Sequence, residues 1–187
     1  MSSYDRYVPK IDRSKNTSSP SSSSSLTLQR QYREMQKNPV QGFSCGLPDE
    51  SNFYEWDVLI IGPQDTVYEG GFLKARLSFP TEYPLLPPKM KFMTEMWHPN
   101  IYQDGTVCIS ILHAPGEDQY GYEDAGERWL PVHSVETVLI SVISMLSSPN
   151  DESPANIECA RQWREDPQGF KKKVRALVRR SGEEMFD

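Results

Sequence analysis

Between Phe79 and Asn100 the chain reads FPTEYPLLPPKMKFMTEMWHPN, with prolines at 80, 84, 87, 88 and 99. Proline fixes φ and removes a backbone donor, so neither a helix interior nor a central strand can run through such a stretch. The chain is therefore divided into two halves that must be built differently, and the divider itself is predicted to be extended or looped. Within it, Tyr83-Pro84 is a candidate for a cis bond.

The two halves carry different periodicities. Trp56 to Ile61 is apolar and β-branched and stops at Gly62-Pro63, and Leu73, Ala75, Leu77 and Phe79 alternate with Lys74, Arg76 and Ser78. Period two marks a half-buried strand with one wet face, and consecutive strands predict an antiparallel meander with short turns. Ahead of them, Leu28, Tyr32 and Met35 recur at helical spacing until Asn38-Pro39 ends the run. After the prolines, Val135, Val138, Leu139, Val142, Ile143 and Leu146 occupy one helix face, with Ser134 placed as the cap and Pro149 beyond the end. Ser153-Pro154 and Asp166-Pro167 each read as a cap followed by proline in the first turn, so two further helices begin there. Phe170, Val174, Leu177 and Val178 form the buried stripe of the last. The order of helix, strands, long loop and three helices gives an α+β fold class.

Residues 1–25 are serine-rich with sparse apolar side chains, and are predicted to be a disordered extension. Residues 26–187 suit one domain. The formal net charge of -6 argues against a nucleic-acid-binding surface, which is normally basic. No apolar run is long enough for a membrane span, and the N-terminal MSSYDRYVPK lacks the apolar core of a secretory signal. A cytoplasmic protein, with nuclear access, is expected. Cys45, Cys108 and Cys159 lie far apart without a CxxC pair, which predicts neither a disulfide framework nor a metal site.

Cys108 follows the turn signal Asp104-Gly105 and precedes Ile109-Ser110-Ile111-Leu112. A thiol after a polar turn is better placed for access than one in an apolar stripe, and cysteine is already a fair nucleophile. On these residues alone, a packing thiol is the better reading, because most free cysteines are buried packing residues. A phosphatase reading lacks its glycine-rich cradle and arginine after the cysteine, and a cysteine protease reading would have to draw its base from His98, His113 or His133.

The motifs around Cys108 narrow the choice. His98-Pro99-Asn100 stands eight positions before it, YPLLPPK precedes that, and Trp129-Leu130-Pro131 and Ser148-Pro149-Asn150 follow. In this order and spacing, over about residues 26–187, the chain resembles the ubiquitin-conjugating enzyme family. The insertion CISILHAPGEDQYGYEDAGERWLP is similar to that of the G-type subclass, which has an acidic loop after the catalytic cysteine.

The resemblance implies a ubiquitin-conjugating fold with a four-stranded meander. It implies that Cys108 accepts ubiquitin as a thioester from an activating enzyme and passes it, with a RING-type ligase, to lysines, building degradative chains. Such an enzyme works as a monomer and needs no cofactor, since the activating enzyme consumes the ATP. Asn100 takes the place of the oxyanion donor, and His98 and Pro99 a structural place beside it. Ser153 falls where many members carry an aspartate that gates the thioester and positions the lysine. Leu85 and Leu86, with Pro131 and Val132, sit in the loops that ligases grip, and Arg30 and Arg33 where the activating enzyme docks. Thr137, Ile140, Ser141 and Ser144 form the face that holds donor ubiquitin. Glu117, Asp118, Glu123 and Asp124 supply the acidic loop, a steering surface for an acceptor lysine or basic partner. His113 could tune that loop by protonation, though a lone histidine in a loop is usually incidental. A catalytically dead scaffold is disfavoured by the presence of Cys108 and Asn100. Conjugation of a different ubiquitin-like protein stays open, with the acidic insertion favouring ubiquitin.

Overall fold

The computed structural model describes residues 22–116 and 126–186. Helix α1 (Ser23–Lys37) leads into strands β1 (Phe43–Gly46), β2 (Glu55–Ile61), β3 (Phe72–Ser78) and β4 (Lys89–Phe92). A short 3-10 turn (Ser110–Leu112) follows, then helices α2 (Val135–Ser147), α3 (Ile157–Glu165) and α4 (Pro167–Phe186). The strands form one antiparallel sheet in the order β1-β2-β3-β4, as the α+β reading requires. Their connections are longer than the short turns expected.

The period-two pattern sets the sheet faces. Trp56, Val58 and Ile60 of β2, Leu73, Ala75 and Leu77 of β3, and Met90 and Phe92 of β4 are all buried. Asp57 and Arg76 lie opposite each other on the wet face and pair at 2.9 Å. Val138, Leu139, Val142 and Leu146 of α2 join the same core, with Met145 buried beside them and Ile143 packed at its edge. Ser134 caps α2 as expected, in a reciprocal box with Thr137.

Two helix starts differ from the sequence reading. Helix α1 begins at Ser23, ahead of the expected boundary at residue 26, because Ser22 caps it and Ser24 is buried with its hydroxyl 2.7 Å from the Tyr54 hydroxyl. The third helix was expected to begin at Ser153-Pro154, yet α3 begins at Ile157 and its cap is Asn156, whose Oδ1 accepts from the Cys159 amide. The physical reason is tertiary: the Asn156 amide donates to the Pro99 carbonyl at 2.9 Å, which holds residues 151–156 against another part of the chain and delays the first turn. Asp166 does begin α4, its Oδ1 accepting from the Gly169 amide.

A chain of ring contacts ties the first helix to the far loops. Tyr32 meets Trp56, Trp56 meets Phe79, Phe79 meets Tyr83 and Tyr83 meets Trp129, with centroids 5.1–5.8 Å apart. The Tyr83-Pro84 bond is cis, and the Pro84 carbonyl accepts from Trp129 Nε1 at 2.8 Å. Gln31 of α1 closes the circuit, its Oε1 accepting from the Tyr83 hydroxyl (2.8 Å) and from the Val135 amide at the start of α2 (3.1 Å). Gln31→Leu leaves both donors unpaired and is expected to destabilise the fold by about 1–2 kcal/mol, read as a lower urea midpoint.

Candidate active site

The segment from Asn100 to Cys108 is a tight hairpin. The Cys108 amide donates to the Asn100 carbonyl, Ile101 pairs with Val107, and the Tyr102 amide donates to the Thr106 carbonyl. Asp104-Gly105 makes the turn, with Asp104 accepting from the Thr106 amide and hydroxyl. Gly105 has φ +93, and a Cβ there would run into the Phe92 carbonyl, so glycine is required. Ile101 and Val107 anchor one side of the hairpin in the core.

His98 is the joint beneath this hairpin. Its ring is fully buried, with Nε2 donating to the Met145 carbonyl at the end of α2 (2.9 Å) and Nδ1 accepting from the Asn100 amide (2.9 Å). Those two bonds specify one neutral tautomer. Burial holds the imidazole down at about 4, against a small opposing pull from the Met145 carbonyl. With both ring nitrogens engaged, His98 has no lone pair to serve as a base for Cys108.

Asn100 is committed on both sides. Its Nδ2 donates to the Asn150 carbonyl (2.6 Å) and its Oδ1 accepts from the Asn150 amide (2.9 Å). The side chain is buried, and it locks the hairpin to the segment that leaves α2. Pro99 contributes its carbonyl to Asn156 farther along that segment. Ser153 lies between these two tethers, exposed on the residues joining α2 to α3.

Cys108 itself is half-buried. His113 Nε2 is 3.6 Å from its sulfur and the Tyr102 hydroxyl 4.0 Å. Neither contact was foreseen, and His113 in particular is not the incidental loop residue it looked. The other thiols are different: Cys45 and Cys159 are both pushed up to about 12 by burial, which makes them packing residues.

The remaining expected residues sit at the surface. Leu85 is 66% and Val132 83% exposed, Leu86 and Pro131 beside them are also exposed, and the Trp129–Pro84 bond stitches their two loops together. Arg30 and Arg33 are exposed on α1. On the outer face of α2, Ile140 is 50% exposed and Ser144 is exposed, while the Thr137 and Ser141 hydroxyls donate to backbone carbonyls of their own helix. Glu117, Asp118, Glu123 and Asp124 fall outside the described residues. Among the described residues there is no grouping of side chains that could hold a metal ion, and no helix is long and apolar enough to cross a membrane.

A half-buried thiol on a tethered hairpin, on a fold that also presents two linked loops with exposed apolar tips, fits a protein-borne acyl carrier. Comparison with known proteins agrees. The sequence profile described as ubiquitin-conjugating enzyme matches residues 27–178, and the chain belongs to that family. Its relatives point to the G-type branch. It is 70% identical over 162 residues to ubiquitin-conjugating enzyme E2 15 of Schizosaccharomyces pombe, covering 87% of this chain and 97% of that one. To ubiquitin-conjugating enzyme E2 G2 of Homo sapiens it is 54% identical over 154 residues, covering 82% and 93%. The solved structure of human ubiquitin-conjugating enzyme E2 G1 superposes with a TM-score of 0.61 at 60% identity, covering 68% of this chain and 97% of that one. The chain is thus a ubiquitin-transferring enzyme whose partners include ubiquitin, an activating enzyme and a ligase.

The His98 joint makes a pH prediction. The unfolded ring takes up a proton near 6.5 and the folded ring only near 4. Between those values the unfolded state binds more protons, so stability contributed by the neutral ring is complete above 6.5 and lost as pH falls. Over that window wild type should lose roughly 3 kcal/mol from this group. Urea titrations from pH 7 to 4.5 should show a shallower slope for His98→Gln; identical slopes would remove His98 as the cause.

Proposed function

We propose that Cys108 carries ubiquitin as a thioester and passes it to lysine amines, assembling degradative polyubiquitin chains with a RING-type ligase. The observation that carries this reading is where the thiols sit: Cys108 is half-buried on a tethered hairpin with polar groups at its sulfur, whereas Cys159 is buried in the core and Cys45, as accessible as Cys108, lies in β1 packed against the core with its thiol pushed up by desolvation.

Charging exchanges one thioester for another, so little driving force is needed. In discharge a lysine nitrogen attacks the carbonyl carbon, an oxyanion forms, and the bond to the Cys108 sulfur breaks. In this reading Asn100 serves that oxyanion through the proton on Nδ2 not given to Asn150, and holds the hairpin in register through the other. Ser153 orients the incoming amine from its exposed segment, since a hydroxyl is a poor base near neutral pH. The residues Glu117, Asp118, Glu123 and Asp124 draw the acceptor in. Leu85, Leu86, Pro131 and Val132 meet the ligase, Arg30 and Arg33 the activating enzyme, and Ile140 with Ser144 the donor ubiquitin, while Thr137 and Ser141 shape that face. The protein acts as a monomer in the cytoplasm and nucleus and uses no cofactor of its own.

Incubation with activating enzyme, ATP and ubiquitin should give an adduct on a non-reducing gel that dithiothreitol removes. Cys108→Ser should abolish it or leave a reductant-resistant ester. Absence of any adduct where a control enzyme charges defeats the proposal. Asn100→Ala should still charge yet discharge to free lysine at least about tenfold more slowly. It should also unfold about 1–2 kcal/mol more easily, because the Asn150 amide and carbonyl lose their partners. Unchanged discharge removes Asn100 from the chemistry and leaves it structural.

A further inference from the structure

Tyr102 is the residue at the site that the motifs did not single out. The hairpin places it there. Asn100 pairs with Cys108 and Tyr102 with Thr106, so Tyr102 and Cys108 are diagonal neighbours, a spacing that an aromatic side chain can cross. Ile101 and Val107 between them turn into the core, which keeps the register from slipping. The phenol ring is 46% exposed, so apolar burial does not account for its position. Its hydroxyl reaches the Cys108 sulfur at 4.0 Å, at the long end of a contact to sulfur.

We propose, given Cys108 as the thioester residue, that the Tyr102 hydroxyl is a hydrogen-bond donor to the Cys108 thiolate. It favours the sulfur as nucleophile when ubiquitin arrives and as leaving group when ubiquitin departs.

At neutral pH only a small fraction of an ordinary thiol is ionised, so any donor that favours the thiolate raises the reactive fraction. In charging, the thiolate attacks the incoming carbonyl carbon. The new C–S bond forms at Cys108, and the old bond's electron pair leaves on the activating enzyme's sulfur. In discharge, the lysine nitrogen forms its bond to carbon, the electron pair of the broken bond returns to the Cys108 sulfur, and the amine's surplus proton goes to water. In both steps negative charge sits on that sulfur, within reach of the same phenol. The phenol must stay protonated to act. Repulsion from the Cys108 thiolate is the leading cause that raises its pKa, followed by the hydrogen bond to that sulfur.

Among the described residues, further titratable groups near this pair act differently. Asp104, on the hairpin turn, is held low by the Thr106 amide and lies 3.9 Å from Lys91, so it stays an anion that favours the protonated phenol. His113 approaches at 3.6 Å from the segment after Cys108 and can either donate or accept. Its contribution is separated by testing the two residues independently.

The measurement is the pH midpoint of Cys108 alkylation by iodoacetamide on the full chain, with the Cys108 peptide followed by mass spectrometry so that Cys45 and Cys159 do not interfere. Tyr102→Phe keeps the ring and removes one oxygen. It should raise the midpoint by about half a unit and slow alkylation at pH 7 by roughly threefold, a fraction of a full charged hydrogen bond because the contact is long and half-exposed. The same variant should charge roughly threefold more slowly at pH 7 and catch up with wild type at pH 9, where the thiol ionises without help. His113→Gln in the same assay separates the imidazole, and the Tyr102→Phe shift should persist in that background. An unchanged midpoint in Tyr102→Phe overturns the inference, as does a charging defect that is equal at pH 7 and pH 9, which would mean a purely steric role. Alkylation needs no ubiquitin, so this result stands apart from whether Cys108 charges at all.

Discussion

One buried, neutral imidazole holds this molecule's working parts together. His98 takes its proton to the end of α2 and offers its lone pair to the Asn100 amide. The hairpin bearing Cys108 is thereby fixed to the helix whose outer face carries Ile140. A charged ring could not serve, because a second proton would leave the Asn100 amide without an acceptor and place an ion in the core. Asn100 then repeats the device one residue pair farther on, pairing both ways with Asn150.

This stiffness suits the chemistry. Thiol–thioester exchange is nearly balanced, so the protein gains little by supplying a strong base or a metal. In the proposed mechanism it gains by holding the sulfur still, which the tethers from the Cys108 hairpin to α2 and to Asn150 supply. Preorganisation of that kind is worth most where donors are already aimed at developing charge. The aromatic contacts from Tyr32 through Trp56, Phe79 and Tyr83 to Trp129 extend the same rigidity to the loops carrying Leu85 and Val132. Gln31 links those loops to α1, where Arg30 and Arg33 are exposed. The exposed loop tips and the exposed face of α1 thus share one framework.

The misread positions have a common cause. Ser153-Pro154 has the local form of a helix start, and locally nothing contradicts it. The Asn156–Pro99 bond, across more than fifty residues of chain, overrides that preference. Ser24 looked like tail because serine is polar, yet Tyr54 satisfies its hydroxyl and allows burial. His113 and Tyr102 looked ordinary because their nearness to Cys108 depends on how the chain turns after and before it. A faint signal was available for Tyr102: the Asp104-Gly105 turn, flanked by Ile101 and Val107, already implied a hairpin whose cross-strand neighbours could be counted.

What the linear chain determined was everything governed by short-range periodicity and by a motif in order: the strand faces, the stripes of α2 and α4, the α+β class, and the family. Apolar spacing is decided within a turn of helix or a few strand residues, so it can be read without knowing what lies opposite. The tertiary structure alone decided the tautomer of His98, the pair of hydrogen bonds between Asn100 and Asn150, the late start of α3, and the phenol and imidazole beside the sulfur. Each of these is a polar contact between residues whose separation in sequence, or direction in space, carries no local preference, and so only the packed fold could select it.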